Sequence, residues 1–303
     1  MAVDFVSVVI PYYNKTDTID RAVGSVIAQT HPHWELIIVD DGSNQPLLSK
    51  PSWLQYKIKI IHKDRNSGPG PTRQEGLRNA EGNFVAFLDA DDWWDSEFLE
   101  SCIEKLRFFP NAAAAWCQTL VYHKDGTNGI RKYSEIPFEN IRSTLLQYAR
   151  PWQTGSLLWN RKFCTAWGNL RTHQDYLFEF SNSSMSDNVI PVPRVLYFVD
   201  MRGNDHRIDA VAHKQIVLDH FDLHRYVYET LRMKLNTRER VLLFHRLLRC
   251  LWKITEHHTP IVASEYWKTM ETYYHVIRLY ARNPLFLKYT HYLIQKTPFK
   301  LYL

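Results

Sequence analysis

Two hydrophobic periods alternate along the first 108 residues. Phe5 to Ile10 is a nearly unbroken β-branched run halted by Pro11, the mark of a strand buried on both faces. Behind it Ile19, Ala22, Val23, Val26 and Ile27 fall at i, i+3, i+4, i+7 and i+8. That is one stripe of a helix, which Thr16 or Asp17 can cap. Trp34 to Val39, Lys57 to His62 and Phe84 to Leu88 read as further strands. Helices are expected over 72–80 and 96–108, the second aligning Phe98, Leu99, Cys102, Ile103 and Leu106. The order β-α-β-β-α-β-α predicts an α/β fold with a mostly parallel sheet covered by helices on both faces.

Past residue 110 the periods blur. A strand is expected over 112–122, a polar loop over 123–137 and a helix near 138–148. Strand-like pieces follow at 154–159 and 194–199, with a short helix near 174–181. From about 209 onward the pattern is mainly helical. Val241, Leu242, Phe244, His245, Leu248, Leu251 and Trp252 form one amphipathic stretch, and Pro260 and Pro284 mark helix boundaries.

Composition narrows the class without naming a function. Apolar residues are 45% and charged residues 23% of 303, ordinary for a globular protein and unlike a disordered, collagenous or disulfide-built chain. The charge is uneven. Residues 224–303 hold 14 Lys+Arg against 5 Asp+Glu, leaving 23 against 27 in 1–223, so a net +9 and −4 compose the total of +5. A basic C-terminal quarter suggests an anionic partner, nucleic acid or a membrane surface. No run approaches the ~20 apolar residues of a membrane span. The N-terminal apolar run is short, preceded by Asp4 and without a basic flank, so a cytoplasmic location is expected. Cys102, Cys117, Cys164 and Cys250 show no metal spacing and are expected as reduced, mostly buried thiols.

Three elements sit at the carboxyl ends of the predicted strands: Asp40-Asp41-Gly42-Ser43, the Asn66–Pro71 loop and Asp89-Ala90-Asp91-Asp92. Open α/β sheets bind ligands at that edge. Asp89 and Asp91, two apart, point to one side and repel unless a cation lies between them. Oxygen ligands alone favour Mg²⁺ or Mn²⁺, which keeps positions for water and a diphosphate. The same acidic run also reads as a cap for the next helix. Asp40 can accept the N3–H of a uracil or thymine ring while Gly42 makes the turn. The Gly68–Pro71 loop lacks a Walker signature. Arg73 stands near the positive end of a helix, so it calls for an acidic partner, either Asp91 or a nucleotide phosphate.

Four segments together carry a resemblance: Val6 to Asn14 (VSVVIPYYN), Ile37 to Ser43 (IIVDDGS), Asn66 to Gly76 (NSGPGPTRQEG) and Phe84 to Trp94 (FVAFLDADDWW). In this order and spacing the chain resembles the family 2 inverting glycosyltransferases of the GT-A fold, strongly over about 1–120 and weakly to about 210. The resemblance implies a GT-A domain over 1–208, with a nucleotide-binding half (1–110) and an acceptor half (111–208), and leaves 209–303 as a basic helical region. It implies a nucleotide-diphospho-sugar donor, a UDP-sugar in the first instance. The metal would be Mg²⁺ or Mn²⁺, and transfer to a glycan or lipid-linked saccharide hydroxyl would invert the anomeric carbon, as in bacterial surface polysaccharide synthesis.

By position, the resemblance puts Pro11, Tyr13 and Asn14 around the nucleoside, Asp40 on the base and Arg73 near the diphosphate. Asp89 and Asp91 form the D-x-D motif, the second bound to metal, with Asp92 near donor sugar hydroxyls. Asp175, in the stretch Gly168 to Tyr176, takes the general-base position. Gln174 replaces the usual glutamate, and His173 and Glu179 are the neighbouring alternatives as base. Arg202 and His206 resemble a basic loop over the diphosphate, or form a charged turn. Trp93, Trp94 and Trp152 make a sugar-stacking platform or simply pack. The basic helical positions Arg246, Arg249, Lys253, Lys268, Arg278, Arg282 and Lys288 suit the anionic inner face of the plasma membrane, or else a helical bundle or homo-oligomer interface. Two other readings stand beside this one. A sugar-phosphate nucleotidyltransferase would want a Gly-rich, basic signature where Pro11 to Asn14 stand. A non-catalytic nucleotide or nucleic-acid binder conflicts with the acidic edge, so no nucleic acid is expected.

Overall fold

The structure, a computed structural model, describes residues 4–130, 140–147, 150–170, 172–202, 213–231 and 233–257. β1 (Val6–Tyr12) is the β-branched run, and its Val6, Val8, Val9 and Ile10 are fully buried. It lies between β2 (Trp34–Asp40) and β4 (Phe84–Phe87), parallel to both, with β3 (Ile58–His62) parallel outside β2. α1 (Ile19–Ile27), α2 (Pro69–Arg78) and α3 (Phe98–Phe108) connect them. The burial of α1 falls on Ile19, Ala22, Val23 and Val26, the expected stripe.

Parallel strands end at one edge, so Tyr12, Asp40 and His62 stand side by side in register. α2 packs close on this sheet because Gly76 leaves room: a Cβ there would lie 2.2 Å from Val9 Cγ1. Gly76→Ala should cost about 1–3 kcal/mol through overpacking, measured as a lower urea midpoint with an unchanged slope.

The second half turns the sheet into a mixed one. β8 (Leu157–Asn160) joins β4 antiparallel, and β6 (Ala114–Tyr122) joins β8 antiparallel. β9 (Val189–Asp200) then runs parallel to β6, and β5 (Trp93–Trp94) pairs antiparallel with β9. The order is β3-β2-β1-β4-β8-β6-β9-β5. Parallel pairing thus dominates only β1 to β4. The 123–137 stretch, expected as loop, contains β7 (Asn128–Ile130), hairpinned onto β6 through Asp125 and Gly126. α4 (Ile141–Gln147) and α5 (Gln174–Asn182) match the two short helices.

The chain divides into two compact units, Met1–Asp205 and His206–Leu303. In the second, α6 (His213–Leu231) packs on α7 (Thr237–His257). Among the described side chains of α7, Leu243, Phe244, Leu247, Cys250 and Ile254 are buried; of the expected stripe, Val241, His245, Leu248, Leu251 and Trp252 lie outside the described side chains. Pro260, Lys268, Arg278, Arg282, Pro284 and Lys288 lie outside the described residues. Among the described residues no helix is long and apolar enough to cross a membrane. The four cysteines are free, Cys102, Cys117 and Cys250 buried and Cys164 half-buried.

Candidate active site

The loops after β1 and β2 are tied together at the sheet edge. Asn14 sits at φ 51°, a left-handed conformation that Asn tolerates. Its amide donates to Ser43 Oγ at 3.0 Å and its Oδ1 accepts from the Asn44 amide at 2.9 Å. Pro11 is paired with Val39 at the end of β1, and Tyr13 follows, both half-buried. Asp40 is buried. Its Oδ1 accepts the Ser43 amide at 3.0 Å and its Oδ2 the Leu47 amide at 2.9 Å, with His62 Nδ1 at 3.3 Å. This carboxylate therefore shapes the loop at the place the base was expected.

Asp41, given no separate role in the sequence, clamps the glycine loop. It accepts from the Ser67 and Gly68 amides at 3.0 and 2.8 Å and from Lys63 Nζ at 2.7 Å. Burial pushes its carboxyl up, but Lys63 and the Ser67 donors outweigh that and hold it below the usual range. Gly42 is required here: its φ is +70°, and a Cβ would lie 2.7 Å from the Arg65 carbonyl carbon.

The acidic turn after β4 splits by exposure. The side chains of Asp89 and Asp91 are 36% and 35% exposed, open enough to meet a ligand. Asp89 Oδ1 takes Arg73 Nη2 at 2.5 Å, and Asp91 takes Lys15 Nζ at 2.7 Å. Arg73 thus pairs with Asp89, not with Asp91. Its guanidinium is buried, and Nε and Nη1 have no partner among the described residues. Such donors are costly unless an anion receives them.

Asp92 turns the other way. It is buried, accepts the Tyr197 hydroxyl, and receives the Asp200 amide at 3.3 Å. Burial, then the Asp89 and Asp91 charges, push its carboxyl well up. Its contacts join the turn to β9.

Arg21 closes the same turn, donating to the Asp91 carbonyl at 2.6 Å and pairing with Asp200 at 2.7 Å. It also lies 4.1 Å over Trp93, which stacks with Tyr122 and Phe198, each at 5.4 Å. Trp94 is buried and donates to the Gly155 carbonyl, and Trp152 is fully buried. Trp94 and Trp152 pack in the interior, and half-buried Trp93 packs on Arg21, Tyr122 and Phe198. Arg202 Nε and Nη2 each reach Asp200 at 2.9 Å. His206 lies outside the described residues.

The other wall comes from α5. His173, at φ 59°, starts the helix, so both non-glycine residues of positive φ among those described, Asn14 and His173, stand in the site loops. Its Nδ1 lies 2.9 Å from Thr172 Oγ1. Gly70 brings α2 to α5: a Cβ there would sit 2.7 Å from the Gly168 carbonyl and 3.2 Å from Gln174 Cβ. Trp167, 5.0 Å from Arg73, donates its amide to Gln74 at 2.7 Å.

Asp175 stands in the first turn, 23% exposed. Its Oδ1 accepts the Tyr176 amide at 3.0 Å and its Oδ2 meets Arg150 Nη1. Burial pushes its carboxyl up, but the Arg150 and Arg73 charges prevail and hold it below the ordinary carboxylate range.

Arg150 and Glu179 were invisible as a pair in the sequence. Glu179 is sealed inside, accepting Arg150 Nε at 2.8 Å and Nη2 at 2.5 Å. Burial pushes its carboxyl up to about 7 against the pull of Arg150. Being enclosed, it cannot meet an acceptor hydroxyl, which separates it from Asp175.

Among the described residues no cluster of three or more His, Cys, Asp or Glu forms a metal cage. The outward pair Asp89 and Asp91 nevertheless suits Mg²⁺ or Mn²⁺, which takes one or two carboxylates and completes its shell with water and phosphate. Lys15 already matches a cation to Asp91.

Residues 7–171 match the model of Glycosyl transferase family 2, more than half of the chain. The chain belongs to glycosyltransferase family 2. It is 42% identical over 102 residues to a putative teichuronic acid biosynthesis glycosyltransferase of Bacillus subtilis, covering 33% of this chain and 40% of that protein. It is 35% identical over 102 residues to an Escherichia coli protein described as a UDP-Glc:alpha-D-GlcNAc-diphosphoundecaprenol beta-1,3-glucosyltransferase, covering 33% and 40%. The matched segments thus span less than half the length of these curated relatives. The fold is that of Staphylococcus aureus TarS residues 1–349, with a TM-score of 0.62 at 18% identity over 82% of this chain and 72% of that one. Its complex with UDP-GlcNAc gives 0.61 at 18% identity, over 97% and 82%. The architecture is the GT-A fold.

Proposed function

We propose that this chain moves a sugar, with inversion, from a UDP-sugar to a hydroxyl of a glycan or lipid-linked saccharide in bacterial surface polysaccharide synthesis. One observation carries the reading. Outward Asp89 and Asp91, the buried Arg73 with two N–H groups to spare, and Asp175 gather at the carboxyl edge of β1, β2 and β4. The relatives' descriptions support a polysaccharide context, and the TarS complex with UDP supports the nucleotide.

In this reading Pro11, Tyr13, Asn14 and Asp40 border the nucleoside, and Arg73 offers Nε and Nη1 to the diphosphate. Asp91 and Asp89 would hold Mg²⁺ or Mn²⁺, which when bound supplies positive charge to the leaving diphosphate. Asp175 takes the proton of the acceptor hydroxyl as that oxygen bonds the anomeric carbon and the bond to the diphosphate oxygen breaks. Its depressed basicity keeps it ionised at neutral pH. Proton transfer then comes late, once the attacking oxygen has become acidic. A lipid-linked acceptor would bring the enzyme to the inner membrane face, where each basic residue such as the exposed Arg249 adds about 1 kcal/mol on an anionic surface.

The test is a screen of nucleotide sugars with Mn²⁺, read by thermal shift and by slow donor hydrolysis. A UDP-sugar should raise the melting temperature and release UDP. Pyrophosphate formed from a nucleoside triphosphate and a sugar phosphate would point to a nucleotidyltransferase. A salt-dependent oligonucleotide shift without nucleotide-sugar binding would point to a nucleic-acid binder.

A further inference from the structure

We infer that Arg150 and Glu179 are positioning residues for Asp175: the guanidinium holds the carboxylate in place, and Glu179 takes up part of the guanidinium's charge so that Asp175 remains a usable base. The inference rests on Asp175 acting as base in the reading above.

The geometry is a single buried fork between two carboxylates. Arg150 Nη1 meets Asp175 Oδ2, while Nε and Nη2 reach Glu179 at 2.8 and 2.5 Å. Nη2 also lies 3.2 Å from Thr154 Oγ1, and the Arg150 amide donates to the Tyr176 hydroxyl at 3.2 Å. A planar guanidinium can serve both partners at once, which an ammonium cannot. Glu179 sits one helical turn after Asp175 on α5, so the helix fixes the spacing of the two carboxylates.

A purely structural strut would need only Arg150 and Glu179, which satisfy one another inside the protein. The extra arm goes to Asp175, the one member of the trio with solvent access. Its Oδ1 is already held by the Tyr176 amide, so Arg150 fixes the second oxygen and with it the plane of the carboxylate. Without Glu179 the whole arginine charge would fall on Asp175 and weaken it as a base. The groups facing the trio are Arg73 on α2, His173 at the N-cap of α5, Tyr176 on α5, and Trp152 and Thr154 from the segment before β8.

The test is steady-state transfer from pH 5 to 8.5 with Asp175→Asn, Glu179→Gln, Arg150→Met and Arg150→Lys, alongside calorimetric binding of the UDP-sugar. Glu179→Gln keeps the shape and a hydrogen-bond acceptor for Arg150. It should lower kcat about 3- to 10-fold while KM and donor Kd stay put, as expected for a weakened base. Arg150→Met should move the acid limb of kcat set by Asp175 up by about 1–3 pH units relative to the parent. Arg150→Lys should restore the limb but only part of kcat. If Arg150→Met does not fold, Glu179→Gln still decides. Parental kcat and pH profile in Glu179→Gln, with Asp175→Asn inactive, would reduce the pair to a strut and overturn the inference. Parental transfer by Asp175→Asn would instead remove the base assignment, and the inference with it.

Discussion

Asp175→Asn is expected to keep donor binding and lose about 10²- to 10⁴-fold in kcat, the usual worth of a positioned general base. Asparagine preserves size and an acceptor oxygen for the Tyr176 amide, so the fold and the diphosphate site should stand. It cannot take a proton, and no neighbour replaces it: Glu179 is enclosed on Arg150 and Trp152. A rapid-quench or coupled UDP-release assay at saturating donor and acceptor reads the loss. Acceptor-independent hydrolysis, in which water attacks, should fall much less.

Asp91→Ala is the second large effect. Removing this carboxylate of the β4 turn should abolish metal-dependent donor binding. Transfer should drop about 10³-fold, since Lewis-acid stabilisation of a leaving diphosphate is worth several kcal/mol. The substitution leaves the Asp91 carbonyl to accept from Arg21 as before, and the Asp92–Tyr197 contact is untouched. The melting temperature without ligand should therefore hardly change, while its increase with UDP and Mn²⁺ should vanish. A drop in unliganded stability as large as the loss in binding would mean the residue supports the turn and not the ligand.

The legible and illegible parts of the molecule differ for physical reasons. β1, β2 and β4 are buried on both faces, so their runs of Val, Ile and Leu declare them, and the acidic residues at their ends follow from parallel geometry alone. The insertion of β8 between β4 and β6 leaves no such trace. β8 has four residues and β5 two, and their partners are far away in sequence, so periodicity carries no information about the pairing. The tryptophans after the acidic turn looked suited to sugar stacking, yet β9 delivers Phe198, and β6 delivers Tyr122, onto the Trp93 ring. Asp175 was visible through the resemblance that the Gly168 to Tyr176 stretch carries. Arg150 was not, since nothing within its own segment shows that Glu179, 29 positions on, waits for it. Asp92 looked like its two neighbours and differs from them only through burial against Tyr197.

The most direct measurement is calorimetric titration of UDP into the protein with Mn²⁺ and again with EDTA, repeated on Asp91→Ala. Saturable binding that requires Mn²⁺ in the parent and disappears in the variant is the expected result. UDP binding of equal strength with EDTA and in Asp91→Ala, or no UDP binding at all in the parent, would contradict a metal-assisted nucleotide-sugar site at the ends of β1, β2 and β4.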